Sequence, residues 1–168
     1  MKRLLSTAAA ALLVASLGAA HADPRNRVRI DQWGYGNGAA AAQTGDRNGT
    51  VVVQGGNGQY ASGVQTGYNN FLRMDQYGTR NRVETGQIGE NNLAVTGQDG
   101  RNLRASTLQT GYNNVSGIAQ IGRNNTAIAD QDGSNNASAI IQVGNGQDAT
   151  IRQRGDGNIS VVVQSGYN

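Results

Sequence analysis

The sequence predicts an all-β fold, a β-solenoid, on three observations. Glutamine recurs every 11 residues without a slip, at Gln32, Gln43, Gln54, Gln65, Gln76, Gln87, Gln98, Gln109, Gln120, Gln131, Gln142, Gln153 and Gln164. Glycine follows two residues later each time, at Gly34, Gly45, Gly56, Gly67, Gly78, Gly89, Gly100, Gly111, Gly122, Gly133, Gly144, Gly155 and Gly166. Between them, polarity alternates with a period of two, the mark of a strand with one face inside. Strict repetition over most of a chain points to a stacked, quasi-one-dimensional architecture.

Taken in order, the chain opens on a targeting segment. Lys2 and Arg3 give a positive start, Leu4 to Gly18 is mostly apolar, and Ala20-His21-Ala22 has the small-x-small form of a signal-peptidase site. Residues 1–22 are therefore read as a signal peptide, with the mature chain starting at Asp23. The apolar run is too short, and its flank too polar, for a membrane span. Asp23-Pro24-Arg25 is a short lead-in, and residues 26–168 form one repeat domain with no linker or composition break.

Removal of residues 1–22 takes two of the 14 basic residues, leaving 12 Arg against 11 acidic residues, about +1. Neither Lys nor His remains, and the chain has no Cys, so no disulfide framework supports the fold. A net charge so near zero, with scattered Arg, argues against nucleic acid as a partner. Glycine is abundant (25 of 168) and aromatics make up 5%, so a large conventional core is not available. Structureless disorder would not hold a fixed register.

The unit reads Gln-x-Gly-x-x-Asn-x-φ-x-φ-x-Gln, with φ small or apolar. An 11-residue period also suits a right-handed coiled coil. A Gly in every unit, at roughly 1 kcal/mol each in a helix interior, argues against that. Thr50-Val51-Val52-Val53 and Ser160-Val161-Val162-Val163 favour strands, and Gly45-Asp46-Arg47-Asn48 and Gly155-Asp156-Gly157-Asn158 favour turns. Stepping by two from the Asn position, the first φ position runs from Ala39 and Thr50 to Ala149 and Ser160, and the second from Ala41 and Val52 to Ile151 and Val162; none is charged. The strand charges, among them Arg73, Asp75, Arg82, Glu84, Arg104, Asp130, Asp148 and Arg152, fall on the opposite parity. A one-residue slip would turn them inward, so the pattern also sets register.

Two 11-residue strand-turn arcs make a 22-residue rung. Thirteen arcs then give about six and a half rungs, on the order of 30 Å at the ~4.8 Å cross-β spacing. Like positions stack every 22 residues. Odd arcs align Asn26, Asn48, Asn70, Asn92, Asn114, Asn136 and Asn158; even arcs align Asn37, Gln59, Asn81, Leu103, Asn125 and Gln147. Leu103 follows Asn102, which suggests a locally shifted, shorter turn. A buried amide is costly unless bonded; stacked at strand spacing, each Gln or Asn amide donates to one neighbour and accepts from the other. The Gln and Asn columns are thus the candidate self-assembly ladder, and the glycines the candidate corners, with positive φ where a Cβ would clash.

The unit resembles the curlin repeat of curli fibre subunits, Gln-x-Gly-x-x-Asn-x-Ala-x-x-x-Gln. It is carried most fully by Gln32-Trp33-Gly34-Tyr35-Gly36-Asn37-Gly38-Ala39 to Gln43 and by Gln120-Ile121-Gly122-Arg123-Asn124-Asn125-Thr126-Ala127 to Gln131. The resemblance covers residues 26 to 168. It implies a secreted bacterial functional amyloid that forms fimbria-like fibres for adhesion and biofilm matrix. The implied partners are copies of itself, a related curlin subunit and an outer-membrane export pore. The sequence departs from the family's major subunit in two ways: Asp23-Pro24-Arg25 stands in place of a Gly/Asn-rich export segment, and the arcs exceed the usual ten. A surface-anchored nucleator of such fibres, or a monomeric solenoid adhesin, are the alternative readings.

Catalysis has no visible machinery after residue 22: no His or Cys, no nucleophile beside a base, no inward carboxylate pair. The reading is non-enzymatic, with no cofactor, metal or small-molecule substrate; the Gly-Gly-x-Gly-x-Asp unit of calcium-binding β-helices is absent. Tyr35, Tyr68, Tyr77, Tyr112, Tyr167 and Trp33 are read into turns, where they stack on adjacent turns or cover an edge, with binding of carbohydrate or of another subunit's surface as the alternative. The outer charges are a solvated face or gatekeepers against premature assembly. In the second case arcs with Arg73/Asp75 and Arg82/Glu84 assemble slowly, and Thr50 to Gln54 and Ser160 to Gln164 fast.

Overall fold

Nine-residue strands separated by two-residue turns repeat from one end of the structure to the other. The structure is a computed structural model that describes residues 25–166; the expected signal peptide, Asp23, Pro24 and the Tyr167 position lie outside those residues. The strands are β1 (Arg27–Tyr35), β2 (Gly38–Asp46), β3 (Gly49–Asn57), β4 (Tyr60–Tyr68), β5 (Phe71–Thr79), β6 (Arg82–Glu90), β7 (Leu93–Arg101), β8 (Arg104–Tyr112), β9 (Val115–Arg123), β10 (Thr126–Ser134), β11 (Ala137–Asn145), β12 (Asp148–Asp156) and the eight-residue β13 (Ile159–Gly166). Odd strands form a seven-stranded parallel sheet and even strands a six-stranded one, each in chain order. Neighbouring strands pair 22 residues apart and in register, Gln54 opposite both Gln32 and Gln76, for example. This is the β-solenoid of 22-residue rungs that the glutamine spacing predicts.

The two sheets face each other across a narrow core, and their inner faces are unequal. The seven-stranded sheet contributes the bulk: Val52, Leu72, Met74, Ile118 and Ile140, all buried. The six-stranded sheet answers mainly with small residues, such as Ala61, Gly63, Ala105, Ala127 and Ala129. Gly63 shows why: a Cβ there would lie 2.8 Å from a Leu72 methyl and 3.2 Å from the Met74 methyl. Large against small keeps the interior close-packed with few aromatics. Buried hydroxyls find partners; Thr50 Oγ1 donates to Gln65 Oε1 at 2.8 Å and Ser138 to Ser116 at 3.2 Å.

The strands run farther than the sequence reading allows. From β1 to β12 each continues through Gln-x-Gly and one residue beyond, so the glycine lies within the paired segment and the turn proper is two residues. The first turn residue is left-handed, with φ of 53–58° at Arg47, Asn69, Arg80, Asn91, Asn102, Asn113, Asn124 and Asn135, and 63–71° at Gly36, Gly58, Gly146 and Gly157. Asn102 therefore sits where its counterparts sit. The shorter turn expected at Leu103 is not found: β7 and β8 have the standard length, and Leu103 occupies the Asn column position, fully buried. A leucine is accepted there because the position faces the interior.

The predicted charge sorting is present. Arg73–Asp75 (2.7 Å) and Arg29–Asp31 (2.8 Å) pair along the outer face, as do Arg82 and Glu84. The aromatics among the described residues are strand residues rather than turn residues. Trp33 and Tyr77, two rungs apart, approach to 6.1 Å between ring centroids across Gly55, where a Cβ would lie 2.5 Å from the indole. Arg82 covers the Tyr60 ring at 4.6 Å, and Arg47 lies 5.3 Å from that of Tyr68. Tyr35 stands free at 81% exposure.

Candidate self-assembly site

The glutamines form two continuous ladders. In the seven-stranded sheet Gln32 donates to Gln54, then in turn to Gln76, Gln98, Gln120, Gln142 and Gln164; in the six-stranded sheet Gln43 leads through Gln65, Gln87, Gln109 and Gln131 to Gln153. From Gln43 on, each Nε2 to Oε1 distance is 2.7–2.9 Å. The amide's second N–H crosses to the opposite sheet. Gln54 Nε2 donates to Gly38 O at 3.1 Å, Gln87 to Phe71 O and Gln131 to Val115 O at 3.0 Å. Each side chain thus binds along the stack and across it at once. A planar carboxamide of this length supplies the two donors and the acceptor required.

The Asn columns work differently from the expected amide ladder. Asn Oδ1 accepts chiefly from the backbone N–H of the residue one rung on: Asn70, Asn92, Asn114 and Asn136 each donate N–H to the preceding Asn at 3.1 Å. Asn Nδ2 in turn reaches the corner glycine carbonyl of the next rung, as from Asn70 to Gly89 (2.8 Å) and Asn136 to Gly155 (2.7 Å). Side-chain-to-side-chain bonds are secondary and confined to part of the odd column, for instance Asn92 Nδ2 to Asn70 Oδ1 at 3.1 Å. In the even column the chain of bonds breaks into pairs. Asn37, Asn81 and Asn125 accept from the N–H of Gln59, Leu103 and Gln147. Leu103 returns no acceptor, and the longer Gln59 and Gln147 leave Oε1 buried without a partner.

The corner glycines have φ of 92–158°. At the corners from Gly34 to Gly144 the carbonyl of the next rung passes so near the Cα that a side chain would collide, as a Cβ on Gly78 would at 2.0 Å from Gly100 O; at Gly155 and Gly166, on the β12/β13 end, an added Cβ would meet nothing within 4 Å. A further column that the sequence reading missed is the left-handed turn residue. Its signal was present: ten of those twelve turn residues are Asn or Gly, the residues that tolerate this conformation. Several stack outside the core, Asn69 donating to Asn91 at 2.7 Å and Asn102 to Asn124 at 3.1 Å. Even turn backbones bond rung to rung, at 2.7–3.0 Å.

Among the described residues β1, β2, β12 and β13 each pair on one side only. The ladders end there with complementary groups. At the β12/β13 end Gln153 and Gln164 each keep an N–H beyond the one bonded to Ala137 O or Asp148 O. At the β1/β2 end the Oε1 atoms of Gln32 and Gln43 have no neighbour below to donate to them. Donor faces acceptor only when one end meets the other. Two like ends would oppose acceptor to acceptor or donor to donor. The described residues hold no cluster of three or more possible metal ligands, and no helix long and apolar enough to cross a membrane.

Comparison with curated proteins and with solved structures gave no match. Comparison with protein families matched the curlin associated repeat twice, over residues 100–133 and 122–153. Those residues run from the end of β7 into β12 and cover the same Gln-x-Gly-x-x-Asn unit as the rest of the solenoid. The chain is thus a β-solenoid carrying curlin-associated repeats, in agreement with its resemblance to the curlin family.

Proposed function

We propose that this chain is a structural subunit that polymerises head to tail into extracellular, curli-like amyloid fibres serving cell adhesion and biofilm matrix. The supporting observation is that, among the described residues, the two ends are unpaired and complementary: a strand edge with ladder donors at β12/β13 and one with ladder acceptors at β1/β2. Unpaired edges template another chain, and identical in-register rungs let the ladder pass from one copy to the next. The Gln and Asn columns carry this assembly, and the corner glycines let rungs approach closely enough for it. Export through an outer-membrane pore after removal of residues 1–22, and contact with a related curlin subunit, belong to the same reading.

Incubation of the purified chain, followed by amyloid-dye fluorescence, electron microscopy and fibre diffraction, tests it. Unbranched fibres with a reflection near 4.8 Å, formed without a lag when seeded, are the expected result. A concentrated sample that stays monomeric with and without seeds refutes it. Failure to polymerise alone, joined with retention at the cell surface and acceleration of a second curlin subunit, would replace it with the nucleator reading.

A further inference from the structure

Within the head-to-tail reading, the geometry points to a crossed joint. The incoming copy's β1 adds to β12 of the six-stranded sheet, and its β2 to β13 of the seven-stranded sheet. Successive copies are then related by a half-turn about the fibre axis. Two observations carry this inference, which rests on the head-to-tail reading.

The first is geometric. Among the described residues one sheet has seven strands and the other six, so β13 stands half a rung beyond β12. Setting the next β1 on β13 would carry its β2 past the open place above β12. One strand position would stay empty inside the fibre, leaving the backbone of β12 and the free Gln153 N–H without partners. Setting β1 on β12 fills that place, and β2 then falls on β13. The half-turn is permitted because both arcs of a rung present the same inward Gln, corner Gly and strand length. Gln153 continues to Gln32 of the next copy, and Gln164 to Gln43.

The second is chemical and independent of the strand count. Outward residues of β12 are Asp148, Thr150, Arg152 and Arg154; those of β1 are Arg27, Arg29, Asp31 and Trp33. In the register seen throughout the solenoid, the crossed joint sets Asp148 against Arg27, Thr150 against Arg29, Arg152 against Asp31 and Arg154 against Trp33. These are two opposite-charge pairs, one hydroxyl–cation pair and one cation–aromatic pair, with no like charges opposed. Asp31, already paired with Arg29, gains a second cation. On the other side β13 exposes Ile159, Val161 and Val163, at 78%, 64% and 65%. The crossed joint lays Gly38, Ala40 and Ala42 of β2 beside them, extending an uncharged surface that already includes Val115, Ala119 and Ile141. The uncrossed joint would place Arg27, Arg29 and Asp31 directly over Ile159, Val161 and Val163.

The chain has no cysteine, so paired cysteines report the joint. Arg29 and Thr150 lie on different sheets at opposite ends and cannot meet within one chain. Across the crossed joint their Cα atoms come to about 4.8 Å, within disulfide range. Fibres of the R29C/T150C variant, once oxidised, should run as a covalent ladder in denaturing gels, and fibres of R29C/V161C should not. A ladder from R29C/V161C, or from neither variant, overturns the crossed joint. A charge-swap series serves where cysteine variants assemble poorly. D148R and R27D should each slow elongation roughly threefold to tenfold, and D148R/R27D together should recover the parent rate. Additive slowing in the double variant also overturns the crossed joint. A parent chain that forms no fibres overturns the head-to-tail reading itself, and the joint with it.

Discussion

Replacing Gln59 by Asn should make the protein more stable, although it shortens a buried side chain. Gln59 sits in the even column between Asn37 and Asn81, almost fully buried. Its Nε2 donates to Gly55 O (2.6 Å) and Gly78 O (3.2 Å), the same two kinds of acceptor that Asn37 and Asn81 reach. The extra methylene carries Oε1 past the N–H of Asn81, and the oxygen is left unpartnered. An asparagine would bring Oδ1 to that N–H at the 3.0–3.1 Å at which Asn70 N–H donates to Asn48, Asn92 N–H to Asn70 and Leu103 N–H to Asn81. Removing a buried unpaired carbonyl is worth about 1–3 kcal/mol and the new bond about 1 kcal/mol. The lost methylene costs about 0.8 kcal/mol. The net gain should be about 1–3 kcal/mol. Urea unfolding followed by far-UV circular dichroism should show the midpoint rising by roughly half a molar to one molar at an unchanged slope of about 2–3 kcal/mol/M. Amide exchange at Asn81 should slow in the variant, because in the parent that N–H lacks the side-chain acceptor that Asn92 has. An unchanged or lower midpoint, or an Asn81 amide already protected like that of Asn92 in the parent, would refute the reasoning.

Two further predictions concern the corners and turns. Gly78→Ala drives a methyl to 2.0 Å from Gly100 O on a backbone at φ +105°, so a loss of about 3 kcal/mol or more, or failure to fold, should appear in the same unfolding assay. Gly97→Ala, with nothing within 4 Å of the added carbon, is the control and should be tolerated. Arg80 holds a left-handed turn at φ 57°; Arg80→Asn should raise stability by about 0.5–1 kcal/mol, and a loss measured by the same method would show that the arginine makes a contact worth more than the strain. The gain from Arg47→Asn should be smaller, since Arg47 also donates to the Tyr68 hydroxyl and lies against that ring.

The repeat was legible because stacking at about 4.8 Å imposes a local rule at each level. A residue meets its own counterpart above and below, so a position that works once works in every rung. Gln54 and Gln87 could therefore be placed inside, and Arg73 and Glu84 outside, from spacing and parity alone. Leu103 and Asn102 show where that reasoning stopped. Counting along the chain made an early Asn look like a shift, whereas two different columns both favour Asn for different reasons. One must sit at positive φ, and the other must accept a backbone N–H.

The sequence by itself determined the solenoid, its 22-residue rung, its register and which side chains face inward, because all of these follow from periodicity. The tertiary structure decided what depends on two residues far apart in sequence meeting in space. It decided that Asn bonds to backbone more than to Asn, and that Gly63 exists to admit Leu72 and Met74. It also brought Trp33 and Tyr77 together across Gly55 from two rungs apart. Those facts are set by distances between the two sheets and between side chains on different rungs. A one-dimensional repeat carries no record of such distances.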